Sequence, residues 1–329
     1  MLECAQHIER GYRRAVKKLS IVLISIIVLA LLLSSFGGCS PKSSAPKDTS
    51  KQLASVNSTS ITENGLNTRV SIFKLFYGSS IDTPETKGTI LDQLIEETLL
   101  LQEASRQKIK VAPEDVTKEL NLFMDQLKTQ FPDIETMDKE LKAANLTEAT
   151  FKAFLEQYLT IQGLYAKTTE RVVVTGTDTS KYYDEHKAEF VEAAAVQARH
   201  ILVKTKEEAQ KLLAQIKGGK DFAALAKEVS LDPGSKEEGG ELPRFGRGEM
   251  YEEFETAAFA LSPGQLSDVV STPAGFHIIL LEEKFPEKQL SLDEVKDQIK
   301  EMLLQERRGE AFDKIIADLQ SKAKINKTQ

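Results

Sequence analysis

The sequence predicts an α+β protein, on three observations. Two short β-branched, apolar runs, Ala198-Arg199-His200-Ile201-Leu202-Val203 and Thr272 to Leu280, each carry one histidine and read as half-buried strands. Between them lie two segments of helical spacing, Lys206 to Lys217 and Asp221 to Val229, then a loop of turn residues from Asp232-Pro233-Gly234-Ser235 to Gly239-Gly240. Upstream, apolar residues recur at helical spacing over long stretches. Strand, two helices, glycine-rich loop, apolar helix and strand describe a compact domain of the size that folds alone.

A chain of 329 residues, 41% hydrophobic and 28% charged, has material for about two domains with sizeable cores. The net charge is −7, and from Cys39 onward 38 basic residues face 48 acidic ones, which makes that part a poor ligand for nucleic acid. Cys4 and Cys39 are the only cysteines, so neither a disulfide framework nor a cysteine-based metal site is available.

Taken in order, Arg10, Arg13, Arg14, Lys17 and Lys18 precede a thirteen-residue apolar run, Ile21 to Leu33, and Ser34-Ser35-Phe36-Gly37-Gly38 leads to Cys39. A charged start, a short apolar stretch and a small-residue exit are the parts of a secretory signal peptide, here residues 1–38. The apolar run is shorter than the roughly twenty residues that span a bilayer; an uncleaved anchor is the alternative it leaves. Residues 39–52, rich in Ser, Lys and Pro, predict a flexible tether.

The globular pattern begins at Leu53. Ala54 to Asn57 followed by Ile61-Thr62-Glu63 predicts a strand, a turn and a helix start. Leu91, Leu94, Ile95, Thr98 and Leu101 share one helical face, as do Val116, Leu120, Phe123 and Leu127, and Phe151, Phe154, Leu155, Tyr158 and Leu159. Pro113 fits a first helical position, with Glu114 and Asp115 in the turn where the helix dipole favours acids. Pro132 closes one helix, and Tyr182 to Lys187 belongs to another. The aromatic stripe reads as core packing, since a cradle for client chains would need it exposed as a contiguous patch. After Lys284, Val295, Ile299, Leu303, Phe312, Ile315, Ile316 and Leu319 trace a helix from Leu290 to Leu319 that is too long to stand without a partner face.

Arg199-His200-Ile201-Leu202, Phe222-Ala223-Ala224-Leu225-Ala226, Gly239-Gly240-Glu241-Leu242 with Phe245 after it, and Gly275-Phe276-His277-Ile278-Ile279 follow one another between Val196 and Lys284. In this order they resemble the parvulin family of peptidyl-prolyl cis/trans isomerases, and the flanks are similar to those of PrsA- and SurA-type extracytoplasmic foldases. The resemblance implies a parvulin domain at residues 194–285, a four-stranded antiparallel sheet with surrounding helices, joined to an all-helical chaperone domain at residues 53–190. Residues 286–329 would form a C-terminal helix packing on that helical domain. It also implies action on unfolded or partly folded secreted polypeptides, without cofactor or metal. Phe36-Gly37-Gly38-Cys39 resembles a lipobox with Phe36 where leucine is usual, which implies lipid attachment at Cys39 and anchoring to the outer face of the cell membrane. Assembly as a homodimer stays open.

Rotation about an X-Pro bond meets a barrier of about 18–20 kcal/mol, while the cis form itself costs little. A catalyst needs only to bind the twisted imide better than the planar one. That calls for an apolar socket for the proline ring and a polar surround for the rotating carbonyl, shielded from water. By the resemblance, Leu242, Met250 and Phe254 match the family's proline socket, with Phe245 beside them. Met250 and Phe254, four apart, would share a helix face, and Phe259 would turn to the core.

His200 and His277, two of four histidines, stand in matching strand positions. A neutral ring offers one donor and one acceptor, so a bond between the rings would fix both tautomers, and Thr272 would extend the network through its hydroxyl. Asp232 stands where some parvulins have cysteine and others aspartate, aimed at the pair; the plain alternative is a turn aspartate before Pro233. Because aspartate serves there, no covalent thiol step is needed. A metal triad of His200, His277 and Asp232 runs against this motif order. The loop Val203-Lys204-Thr205-Lys206-Glu207-Glu208 is mixed in sign where phosphate-directed relatives carry a basic cluster, so recognition of a phosphate is not expected. Ala274 replaces a hydroxyl-bearing residue of some relatives. The expected activity is non-covalent isomerisation; the rival is a holdase that keeps the fold without useful catalysis.

Overall fold

The computed structural model describes residues 48–328. The signal peptide, Cys39 and residues 39–47 of the tether lie outside the described residues. The chain divides into two compact units, Gly176–Ile299 and a second made of the residues up to Thr175 with those from Lys300 onward.

Gln52–Val56 (β1) and Thr59–Thr62 (β2) form an antiparallel hairpin turned at Asn57, whose φ of 54° is one that asparagine tolerates. Ile61 and Thr62, expected at a helix start, also complete this hairpin. Thr62 then caps Glu63–Tyr77 (α1), its side chain accepting from Gly65 N–H. The tether ends earlier than residue 52: Asp48 accepts from the Thr62 hydroxyl at 2.6 Å, and Ser50 Oγ accepts from Asn64 N–H at 3.1 Å.

The helices Pro84–Arg106 (α2), Pro113–Lys128 (α3), Ile134–Ala143 (α4) and Glu148–Thr169 (α5) follow. Thr83, Asp133 and Thr147 cap the first, third and fourth, and Pro113 opens the second with Glu114 and Asp115 in its first turn. Helix α3 already ends at Lys128, ahead of Pro132. Phe151, Phe154 and Leu155 are buried with Leu120, Leu127, Met137 and Leu141, so the aromatic stripe is interior. Beneath Phe154 the buried Arg69 donates to both oxygens of Glu97, at 2.6 and 2.8 Å, with its guanidinium 4.8 Å from the ring centroid.

The second unit begins with Gly176–Glu185 (α6) and Val191–Glu192 (β3), then Ala195–Val203 (β4), Lys206–Lys217 (α7), Phe222–Val229 (α8), Phe245–Gly246 (β5) and Glu252–Ala260 (α9). Val270–Thr272 (β6), Gly275–Phe285 (β7) and Lys288–Gln289 (β8) complete it. Four strands form an antiparallel sheet in the order β5-β4-β7-β6. The run from Thr272 to Leu280, expected as one strand, is a hairpin corner. Pro273 has no N–H to give a ladder, and Gly275 takes a φ of 141° where a Cβ would stand 2.6 Å from the Val203 carbonyl.

The sheet has two covered faces. Ala198, Ile279 and Leu281 pack with Leu242, Phe245, Phe254, Ala258 and Leu261 on one. Ile201, Val203 and Ile278 pack with Leu212, Leu213, Phe222 and Leu225 of α7 and α8 on the other. Strands β3 and β8 form a separate two-stranded ribbon, and Tyr183 Oη donates to the Leu290 carbonyl at 2.5 Å beside it.

Leu292–Lys322 (α10) and Ile325–Lys327 (β9) end the chain. Strand β9 pairs with β1, so the unit of α1 to α5 is helical apart from one three-stranded sheet, β2-β1-β9. Phe312 packs edge-on against Tyr165 at 5.1 Å between ring centroids, beside Leu100 and Leu164.

Candidate active site

Strand register decides what the two histidines meet. His200 pairs with Ile279 and Leu202 with His277, so the histidines are diagonal neighbours on adjacent strands and point to one face, within reach of each other's rings. Both are buried. Their rings lie nearly parallel, 5.4 Å between centroids and 17° apart, with the two Nδ1 atoms at 3.2 Å.

Each outer nitrogen also has a partner. His200 Nε2 lies 2.9 Å from Asp232 Oδ2 and 3.0 Å from Ser235 Oγ. His277 Nε2 lies 2.7 Å from Thr272 Oγ1, which also accepts from Ala274 N–H at 3.2 Å. All four ring nitrogens thus have partners within the chain itself. Asp232 and Ser235 both address the same nitrogen of His200, so the three do not form the relay of a serine hydrolase, in which acid and serine sit on opposite nitrogens.

Backbone contacts hold the network. Leu231 N–H donates to Leu202 O at 2.8 Å, which pins the turn carrying Asp232 to β4. His200 N–H donates to Gly240 O at 2.8 Å. Gly240 takes a φ of +80°, and a Cβ there would stand 2.2 Å from the His200 carbonyl, so this close approach requires Gly240, while Gly239, at a φ of +68°, would set a Cβ 2.7 Å from that of Ala223.

Charge follows from these contacts. Burial pushes the Asp232 carboxyl up, but hydrogen bonds from Ser235, His200 and Gly234 N–H outweigh it and leave the group below the ordinary aspartate range. Burial lowers His277 to about 4, with His200 adding to the shift and the Asp232 charge opposing it. An ionised Asp232 only accepts, so Nε2 of His200 carries a proton. Where His277 Nδ1–H donates to His200 Nδ1, the Thr272 hydroxyl donates to His277 Nε2. The four groups then form one chain of donors running from Thr272 to Asp232.

Phe254 stands edge-on to both imidazoles, at 5.6 and 5.2 Å between centroids, and 5.9 Å from Phe245. Leu242, Phe245 and Phe254 belong to one buried cluster, and Phe245 is only 2% exposed. Met250 is 37% exposed and lies outside the helix expected to carry it beside Phe254. Helix α9 starts at Glu252, because the Glu255 carboxylate turns back and accepts from the N–H groups of Glu249 and Met250, both at 2.8 Å. Phe259, expected in the core, is partly buried, with the Arg247 guanidinium 4.3 Å from its ring.

Residues 189–283 match the family model described as a PPIC-type PPIase domain, and residues 10–165 match the SurA-like N-terminal domain. The Foldase protein PrsA of Clostridium botulinum (strain 657 / Type Ba4) is 32% identical over 322 residues, covering 92% of this chain and 96% of that protein. The chain belongs to the PrsA foldase family. A second PrsA foldase, from Caldanaerobacter subterraneus subsp. tengcongensis, is 35% identical over 241 residues, covering 73% of this chain and 70% of that one. A crystal structure of the peptidylprolyl isomerase PrsA from Bacillus anthracis is 32% identical, with a TM-score of 0.29, covering 71% of this chain and 96% of that one. The sheet unit is accordingly the peptidyl-prolyl isomerase domain of a chaperone foldase.

Of the residues singled out from the sequence of this foldase, His200, His277, Asp232 and Thr272 meet in one network, with Phe254 against it. Sequence reasoning missed Ser235, Ser230 and Glu255. Ser235 had a local signal, a hydroxyl three residues after an aspartate in a Pro-Gly turn. Ser230 Oγ accepts from Leu202 N–H at 3.2 Å, a contact between segments remote in sequence that carries no local signal.

Proposed function

We propose that His200, His277, Asp232 and Thr272 form the catalytic centre of this isomerase and that it turns X-Pro bonds without making or breaking a covalent bond. The observation that carries this is the unbroken hydrogen-bond chain from Thr272 to Asp232 lying against the edge of Phe254. Phe254, with Leu242 and Phe245 behind it and Met250 at the exposed rim, grips the proline ring and excludes water. The network holds both imidazoles rigid, and burial keeps His277 neutral, so their dipoles are already oriented where the carbonyl turns out of the imide plane. Preorganised dipoles in a dry site favour the twisted imide over the planar one. A carboxylate, Asp232, stands beside His200, which fits a mechanism with no thiol nucleophile.

The substrates are unfolded or partly folded secreted polypeptides, met outside the cytoplasm. Residues 1–38 act as a signal peptide, and Cys39 carries a lipid that anchors the foldase to the outer face of the membrane. The charged start, the short apolar stretch and the Gly37-Gly38-Cys39 exit support this. Mass spectrometry of the mature N-terminus tests it: a diacylglycerol-bearing Cys39 is expected, and an intact Met1 would refute it.

The catalytic assignment is tested by proline-limited refolding of a model client with the chain from Ser40 onward. Acceleration that is lost in His200→Ala and Asp232→Ala is expected. Suppressed aggregation with no faster refolding would reduce the sheet unit to a binding module.

A further inference from the structure

We propose that Ser235 is a positioning residue of the isomerase centre, its hydroxyl clamping the Asp232 carboxylate against His200 and so fixing which nitrogen of each imidazole carries its proton. Ser235 is 2% exposed. Its Oγ lies 2.5 Å from Asp232 Oδ2 and 3.0 Å from His200 Nε2, and that same Oδ2 lies 2.9 Å from Nε2, so the three atoms close a triangle. The carboxylate accepts only, so the hydroxyl proton belongs to the Ser235–Asp232 edge. The serine lone pairs then share the Nε2–H of His200 with Asp232.

The serine is itself fixed by the loop that seats His200. Its carbonyl accepts from Gly240 N–H at 2.8 Å and Glu238 N–H at 3.1 Å, while Gly240 O accepts from His200 N–H. The Asp232 side chain, by contrast, is a quarter exposed, and its other oxygen holds only the long 3.3 Å contact from Gly234 N–H. The hydroxyl and the imidazole are the two short contacts that keep that carboxylate turned inward. The titratable groups acting on it are His200 from β4 and His277 from β7. Without the hydroxyl, Asp232 swings toward water, Nε2 of His200 loses its single acceptor direction, and the proton is free to move to Nδ1. That reverses the bond to His277 and leaves the Thr272 hydroxyl facing a second donor.

The inference rests on the catalytic role proposed for the histidine pair, and the test separates the two. Ser235→Ala is measured for kcat and KM across pH, with ¹⁵N spectra of the histidine rings and ¹³C titration of the Asp232 carboxyl in the same protein. Ser235→Cys, nearly the same size with a weak S–H donor, is measured alongside and serves should the alanine variant fail to fold. Expected are a fall in kcat of roughly ten- to hundredfold with KM nearly unchanged, since one hydrogen bond to a charged group is worth about that factor. The acid limb of the profile should move to higher pH, and the His200 ring should show two tautomers. Unaltered tautomers and an unaltered Asp232 titration in both variants would overturn the clamp, whatever the activity. Mixed tautomers with undiminished kcat would overturn the catalytic reading of the pair instead.

Discussion

Acidification should destabilise the isomerase domain through His277 before it touches most carboxylates. Burial holds this ring at about 4 in the folded protein, against an ordinary value of 6.5. Between those two values the unfolded chain binds a proton that the folded one refuses, so stability is full above pH 6.5 and falls as the pH drops toward 4. A gap of that width corresponds to about 3 kcal/mol. For a domain this is a large share of the total, since native proteins are stable by only about 5–15 kcal/mol. The measurement is urea unfolding at pH 7, 6, 5 and 4, followed by amide signals of Ile278 and Ile279, for the wild type and His277→Gln. The wild type should lose about 3 kcal/mol more than the variant over this range. Equal losses, or ring protons of His277 titrating near 6.5, would refute the account of its burial.

Other consequences follow from single contacts. Gly240→Ala places a methyl group on the His200 carbonyl in a left-handed conformation. It should cost about 3 kcal/mol or more, lower the melting point of the sheet unit by roughly 10 °C and weaken isomerase activity with it. Phe254→Ala removes a ring 3% exposed that faces both imidazoles, and should cost about 3–5 kcal/mol by denaturant titration while abolishing proline-limited acceleration. Arg69→Ala leaves the half-buried Glu97 without its partner and should cost about 1–3 kcal/mol, whereas Arg69→Met with Glu97→Leu should come close to neutral. Isomerase activity on a short peptide should survive both Arg69 variants, since the pair lies in the other unit.

Much of this was legible in the sequence, for reasons that differ by residue. The helices α2, α3 and α5 announce themselves by spacing, and α3 also by Pro113 with Glu114 and Asp115 at its start, signals that act within one turn of chain. The histidine pair was legible because each ring sits on a short apolar strand with a motif around it. The hairpin corner at Thr272 was not, since β-branched runs stand on both sides of it and only Pro273 and Gly275 mark the break. Met250 was misplaced because a spacing of four suggests a shared face only if both residues are helical, and the helix begins two residues past Met250, where the buried Glu255 carboxylate accepts from Met250 N–H. Strand β9 escaped notice because three residues carry no periodicity; pairing with β1 makes them a strand.

The position of the pair depends on parity as much as on residue type. Side chains alternate along a strand, so a slip of one residue between β4 and β7 would carry His277 into the apolar layer with Ile278 and Phe222, where its nitrogens would lack partners. Three contacts oppose that slip. Gly275 passes under the Val203 carbonyl where no Cβ fits, and Gly240 locks to His200 from the far side of β4. Between Gln197 and Ala198 the ladder shifts register, and Arg199 donates to Glu282 at 2.6 Å beside the irregularity. Two glycines and one bulge therefore hold the imidazoles on the face that Phe254 covers, and their chemical neighbourhood follows from that register.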